Sequence, residues 1–264
     1  MKRTTIALAA GATVTGLALG VRALMQRQAT ATLAAPTPNL ALSVPGFAVV
    51  EHITGGVDPA QPMPLVIVLH GIGGSAAQLD PYTQIEVPAR LVHVRGTVGS
   101  SRGGYSYFAA RFNAPTFMAE ATAAAAEIVR VADTVASQCA VTRTLVVGYS
   151  QGGHIAWLLA GTGRFDVVIP VSGALSAGYQ PPLSTGRTTL YALHGEDDRT
   201  LPATASAATF RAFTGAGYRG DYKRVRAGHS LTTIGGYIAP LLSASIDPKP
   251  ARTPGLSMPQ IRGR

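Results

Sequence analysis

Three uninterrupted apolar runs constrain this chain most: Leu65-Val-Ile-Val-Leu69, Leu145-Val-Val147 and Val167-Val-Ile-Pro-Val171. Short runs of this kind, rich in β-branched side chains and without polar alternation, fit strands buried on both faces. Between and after them the pattern becomes helical. Residues 116–138 form a long Ala-rich stretch with Glu120 and Glu127 on its polar side, and 152–160, 202–213 and 231–244 are further helical stretches. Residues 90–94 and 188–193 read as weaker strands, and 47–53 and 221–225 as outer ones. Strand and helix alternating in this order predict an α/β domain, with a mostly parallel central sheet and helices on both faces.

Composition limits what else the chain can be. Of 264 residues, 47% are hydrophobic and 13% charged, which excludes disorder as the main state. The single cysteine, Cys139, excludes an internal disulfide framework and a cysteine-rich zinc site. It falls at the end of a predicted helix, half-buried and inert. The net charge of +9 resembles that of a nucleic-acid binder, but it is concentrated at the termini. Lys2, Arg3, Arg22 and Arg27 precede residue 36 without an acid, and Asp247 is the one acid among residues 247–264. The body between is nearly neutral, so nucleic acid is not an expected partner.

The chain starts with a basic Met1-Lys2-Arg3, followed by uncharged residues 4–21 and small residues around Ala29-Thr30-Ala31 and Leu33-Ala34-Ala35. This pattern reads as a signal peptide or an N-terminal membrane anchor over residues 1–35, and hence as an exported protein: periplasmic, secreted or membrane-anchored. Residues 36–46, with Pro36, Pro38 and Pro45, read as a linker, and 47–246 as the folded domain. Residues 247–264, with four prolines and no periodicity, read as a disordered basic tail.

Chemistry concentrates at Gly148-Tyr149-Ser150-Gln151-Gly152, a G-x-S-x-G pattern that follows one predicted strand and opens the next helix. A serine on such a turn has an exposed hydroxyl, and the helix N-terminus behind it favours developing negative charge. A hydroxyl needs a base and an orienting acid to become a nucleophile. In this architecture both come later in the chain, acid first. The loop His194-Gly195-Glu196-Asp197-Asp198, after a strand, supplies the acid. Of six histidines, only His229 follows both serine and acid in a loop after a strand. His52 and His93 lie within strands, His154 reads as a packing residue, and His194 as a partner of the loop backbone. Two amides must hold the oxyanion. Gln151, after the serine, and Ile72, in the glycine-rich loop His70-Gly71-Ile72-Gly73-Gly74, are the candidates.

At these residues the chain resembles the α/β-hydrolase superfamily, and within it the phospholipase/carboxylesterase family that includes acyl-protein thioesterases. The matching pieces, in order, are the 70–74 loop, Gly148 to Gly153, His194-Gly195 with its acid and Leu201-Pro202, and Gly228-His229. Gly103-Gly104-Tyr105-Ser106-Tyr107-Phe108 is similar to the family's aromatic segment beside the acyl pocket. The resemblance implies the α/β-hydrolase fold with little or no cap domain, and it selects Asp198 over Asp197 as the acid. It implies a serine carboxylesterase acting on short or medium acyl esters, with Ser150, His229 and Asp198 catalytic. Gly71, Tyr105, Tyr107 and Phe108 are expected along the substrate pocket, although the three aromatics can equally be core. No metal and no cofactor are expected, and the expected partner is a small or lipid-like ester. A polyester depolymerase or serine peptidase of the same fold, and a non-catalytic cell-envelope binding protein, are the alternatives. Arg199 stands where the family usually has proline, and Tyr149 where phenylalanine or leucine is common.

Overall fold

The structure, a computed structural model, describes residues 42–77, 81–101 and 103–247. The expected leader, the linker up to residue 41 and the tail from residue 248 lie outside the described residues. Seven strands form one sheet: β1 (Val49–Thr54), β2 (Met63–Leu69), β3 (Ala89–Val94), β6 (Val141–Tyr149), β7 (Val167–Val171), β8 (Thr189–Gly195) and β9 (Arg219–Val225). Their order is β1-β3-β2-β6-β7-β8-β9, and all neighbours are parallel except β1, which runs antiparallel to β3. The two outer strands are those expected to be outer. A two-stranded hairpin, β4 (Val98–Gly99) with β5 (Tyr105–Ser106), stands apart, and no sequence signal announced it.

Among the described residues four α-helices cover the sheet: α1 (Phe117–Gln138), α2 (Gln151–Ala160), α3 (Ala203–Gly215) and α4 (Leu231–Ile246). The apolar runs divide their side chains between two cores, as the two-residue strand period requires. Leu65, Ile67, Leu69, Val146 and Val168 pack with α1, α2 and Phe213 of α3 on one face. Val66, Val68, Leu145, Val147 and Ile169 pack with Ile234, Ile238 and Leu242 of α4 on the other. In α1 a stripe of Ala121, Ala125, Ile128, Ala132 and Val135 turns inward at helical spacing. Every residue of α2 is buried, because α1 packs over it and β6 and β7 lie beneath. Pro202 caps α3 from just outside rather than opening its first turn. No separate cap domain is present among the described residues, and no helix among them is long and apolar enough to cross a membrane.

The parallel order puts the carboxyl ends of β2, β6, β7, β8 and β9 along one edge. The 70–74 loop, Ser150, the acid loop and His229 all leave the sheet there.

Candidate active site

Ser150 is the residue between β6 and α2, and its backbone is left-handed, with φ 54° and ψ −111°. A non-glycine residue there is strained by roughly 1–3 kcal/mol, and surrounding structure must hold it. The hold is visible: the Ser150 amide donates to Val171 O at 2.9 Å and its carbonyl accepts the His154 amide at 3.0 Å. The turn is too tight for side chains at its flanks. A Cβ on Gly148 would lie 2.1 Å from the Gly152 carbonyl oxygen, and one on Gly152 would lie 2.5 Å from Leu69 O.

Three side chains far apart in sequence meet at this turn. Ser150 Oγ lies 2.8 Å from His229 Nε2. His229 Nδ1 lies 2.6 Å from Asp198 Oδ2. The other oxygen, Oδ1, accepts the amides of Thr200 at 2.9 Å and Leu201 at 2.8 Å. Since a carboxylate only accepts, His229 carries its proton on Nδ1 and presents the Nε2 lone pair to the serine hydroxyl. Burial alone would raise the Asp198 carboxyl. The hydrogen bonds from His194, His229 and the Leu201 amide outweigh burial and hold it well below the usual carboxylate range. The neighbouring Asp197 has its amide on Ala227 O at 3.1 Å and is not joined to a histidine.

Among the described residues no acceptor lies on the Ile72 or the Gln151 amide. The 70–74 loop is held in place from several sides. Gly73 N donates to Tyr105 O at 2.8 Å, and Tyr105 N to Gly74 O at 2.9 Å. His70 accepts the Gly96 amide on Nε2 at 3.0 Å, so its Nδ1 proton goes to Gly71 O at 2.6 Å. Burial lowers the His70 pKa, keeping the ring neutral. Gly71 is packed so close that a Cβ there would lie 3.2 Å from Ser150 Cβ. That places Gly71 against Ser150 itself.

The aromatic segment departs from expectation. Tyr107 and Phe108, expected along the substrate pocket, are buried in the core cluster that includes α1 and β2 side chains. Tyr107 stacks on His70 at 4.6 Å, donates its hydroxyl to Val94 O at 2.7 Å and accepts the His70 amide at 3.0 Å. The buried side chain of Gln151 completes this brace. Its Oε1 accepts Tyr107 N and its Nε2 donates to Phe108 O, each at 2.8 Å. Gln151 therefore ties the serine turn to the segment that supports the glycine loop, a role the sequence motif did not reveal. Tyr105 is half-buried under the Arg95 guanidinium, 4.1 Å above its ring. Tyr149 lies beside the His229 ring at 5.4 Å; burial, with the Asp198 charge, pushes its hydroxyl up to about 12.

Among the other histidines, His154 is stacked on Phe112 and edge-on to Phe117, with Nδ1 2.6 Å from Ala174 O; burial lowers it to about 4. His52 and His93 pack edge-to-face inside the sheet's β1–β3 side, away from the serine. Cys139 caps α1, half-buried, with its thiol raised by burial. No cluster among the described residues could hold a metal ion.

The sequence pattern of the dienelactone hydrolase family matches residues 105–233, a span that contains Ser150, Asp198 and His229. No curated protein matches the sequence. Solved structures share the fold at low identity. The carboxylesterase of Bacillus cereus is 19% identical with a TM-score of 0.62, covering 82% of this chain and 95% of its own. A carboxylesterase from Mesorhizobium loti is 19% identical with a TM-score of 0.59, covering 79% and 98%. Acyl-protein thioesterase 2 of Zea mays is 16% identical with a TM-score of 0.56, covering 74% and 98%. The chain thus shares the fold of these enzymes, and the dienelactone hydrolase pattern runs across the segment that carries its serine, acid and histidine.

Proposed function

We propose that the protein is a serine esterase that hydrolyses carboxylic esters through an acyl-enzyme. The observation that carries this reading is the continuous hydrogen-bonded series from Ser150 Oγ through His229 to Asp198. In this mechanism Ser150 attacks the ester carbonyl while His229 takes its proton on Nε2. Asp198 keeps the imidazole in its Nδ1–H form and stabilises the imidazolium. The negative oxygen is held by the Ile72 and Gln151 amides, at the N-terminus of α2. His229 returns its proton to the leaving alcohol, and water repeats the path to release the acid.

A cavity of about 160 Å³, lined in part by Phe112, Leu175, Tyr179, Ala205, Ala208 and Thr209 and by none of Ser150, His229, Ile72 or Gln151, is the proposed seat of a small apolar acyl or alkoxy group. Its walls come from the segments that follow β5, β7 and β8. An apolar cavity of about 150 Å³ holds a benzene-sized guest. Export of the enzyme, and any association with a membrane, rests on the sequence of residues 1–35 alone.

Ser150→Ala is expected to abolish turnover of p-nitrophenyl acetate and butyrate while leaving the melting temperature close to that of the parent. A variant that keeps the parent rate rules out the serine mechanism. Amide hydrolysis without any preference for esters would favour the peptidase alternative.

A further inference from the structure

The acid loop contains a second imidazole that the esterase mechanism leaves unused. His194, the penultimate residue of β8, is completely buried. Its Nε2 lies 2.9 Å from Leu201 O and 3.3 Å from Asp198 Oδ2. A carbonyl oxygen only accepts, so this nitrogen carries the proton and shares it between the two oxygens, a three-centre arrangement. Leu201 in turn donates its own amide to Asp198 Oδ1 at 2.8 Å. Imidazole, carboxylate and one backbone unit thus close a ring around the acid. The oxygen reached by His194 is the one that binds His229.

The opposite side of the ring is equally specific. With Nε2 protonated, His194 Nδ1 is a lone-pair acceptor, and it is buried without a partner. One strand over, Ser172 is also completely buried, has an unpartnered Oγ, and donates its amide to Leu193 O at 2.9 Å. It is one of three non-glycine residues with positive φ among the described residues, at 47°. His194 Nδ1 and Ser172 Oγ are not hydrogen-bonded to each other; one buried water, which both donates and accepts, would join them.

We infer that His194 is a positioning residue for the acid: held in its Nε2–H form with the help of Ser172, it shares Asp198 Oδ2 with His229 and fixes the carboxylate in the plane that His229 needs. This rests on the esterase reading above. The titratable groups facing Asp198 are His194 from β8, His229 from the loop after β9 and Tyr149 from the end of β6. Of these, His194 and His229 are joined to it by hydrogen bonds.

The test compares His194→Leu, which removes the donor, with His194→Gln, whose side-chain amide can reach the same oxygen, and with Ser172→Ala. For His194→Leu, kcat is expected to fall roughly tenfold to a hundredfold with KM little changed, the scale of one hydrogen bond to a charged acceptor. The acid limb of its kcat/KM profile moves to higher pH, because the imidazolium of His229 then faces a carboxylate it no longer shares. His194→Gln restores most of the rate and the parent limb. Ser172→Ala shows a smaller loss in the same direction. Long-range ¹H–¹⁵N spectra of the intact protein with labelled histidine are expected to show His194 as the Nε2–H tautomer.

A merely structural histidine would give Leu and Gln variants equally impaired with an unmoved acid limb, and that result overturns the inference. So does an Nδ1–H tautomer, a reading that survives even if the Leu variant fails to fold. Loss of rate in Ser150→Ala beside full activity in His194→Leu would defeat this inference alone. Full activity in Ser150→Ala would defeat the esterase reading instead.

Discussion

Ser150 sits in a conformation that a serine would not choose, and its neighbours supply the constraint. Gly148 and Gly152 let three chain segments crowd within van der Waals distance, and Gln151 fastens the turn to Tyr107 and Phe108. Gln151 is nearly inaccessible, so its truncation leaves the Tyr107 amide and the Phe108 carbonyl buried without partners. Gln151→Ala is therefore expected to lower stability by about 1–3 kcal/mol. It also lowers kcat, because the glycine loop loses the support that aims the Ile72 amide. Urea unfolding together with ester turnover checks both; an unchanged kcat would show that the brace does not position the anion site.

The serine, the histidine and the glycine loop could be located in the sequence because each is marked locally, by glycine at a strand end. Loop position alone narrows the acid to Glu196, Asp197 or Asp198; the family resemblance selects Asp198, and Asp198 is the one that lies against His229. The Gln151 brace and the second contact of His194 were not legible. Both join residues through side-chain directions that no spacing encodes. The same limit explains Tyr107 and Phe108, since an aromatic pair reads alike whether it faces a pocket or a core.

Among the elements, the β1–β3 edge differs from the rest of the sheet. Arg90 and Glu51 form a buried ion pair across this antiparallel pair, and Arg90 also donates to the Pro59 carbonyl. Among the described residues Glu51 Oε2 and Arg90 Nε have no partner. Such a pair contributes little net stability, yet breaking one side leaves an uncompensated charge. Arg90→Met alone is expected to cost about 3–5 kcal/mol, whereas the double variant with Glu51→Leu lies close to the parent. Chemical denaturation of the two proteins measures this, and equal losses would contradict it. At the opposite edge, β9 is exposed and carries Arg219, Lys223 and Arg224, which discourages pairing with another chain. The buried strands were readable as continuous apolar runs. The β4–β5 hairpin was not, because two residues per strand carry no period.

At the scale of the molecule, two cores on opposite faces of the sheet enclose several neutral histidines. Burial, reinforced by the His52 and His70 rings, lowers His93 from 6.5 to about 3, and burial lowers His154 to about 4. Between those values and 6.5 the unfolded chain binds more protons than the folded one. Stability is therefore full above that range and falls as pH drops through it. Asp198, also depressed, adds a loss only below its unfolded value of 3.8. The melting temperature is expected to decrease between neutral pH and about pH 4. His93→Phe, which removes a buried ring nitrogen without a partner, flattens that decrease. A pH-independent melting curve for the parent would contradict this account of the core.

Ester hydrolysis by this protein requires one hydroxyl, that of Ser150, to be the reactive one. Incubating the protein with a fluorophosphonate and mapping the adduct by peptide mass spectrometry tests that directly. The predicted result is a single stoichiometric adduct on the peptide containing Ser150, lost in His229→Ala at the same exposure time. An adduct on a different residue, or ester turnover that persists with Ser150 unlabelled, would contradict it.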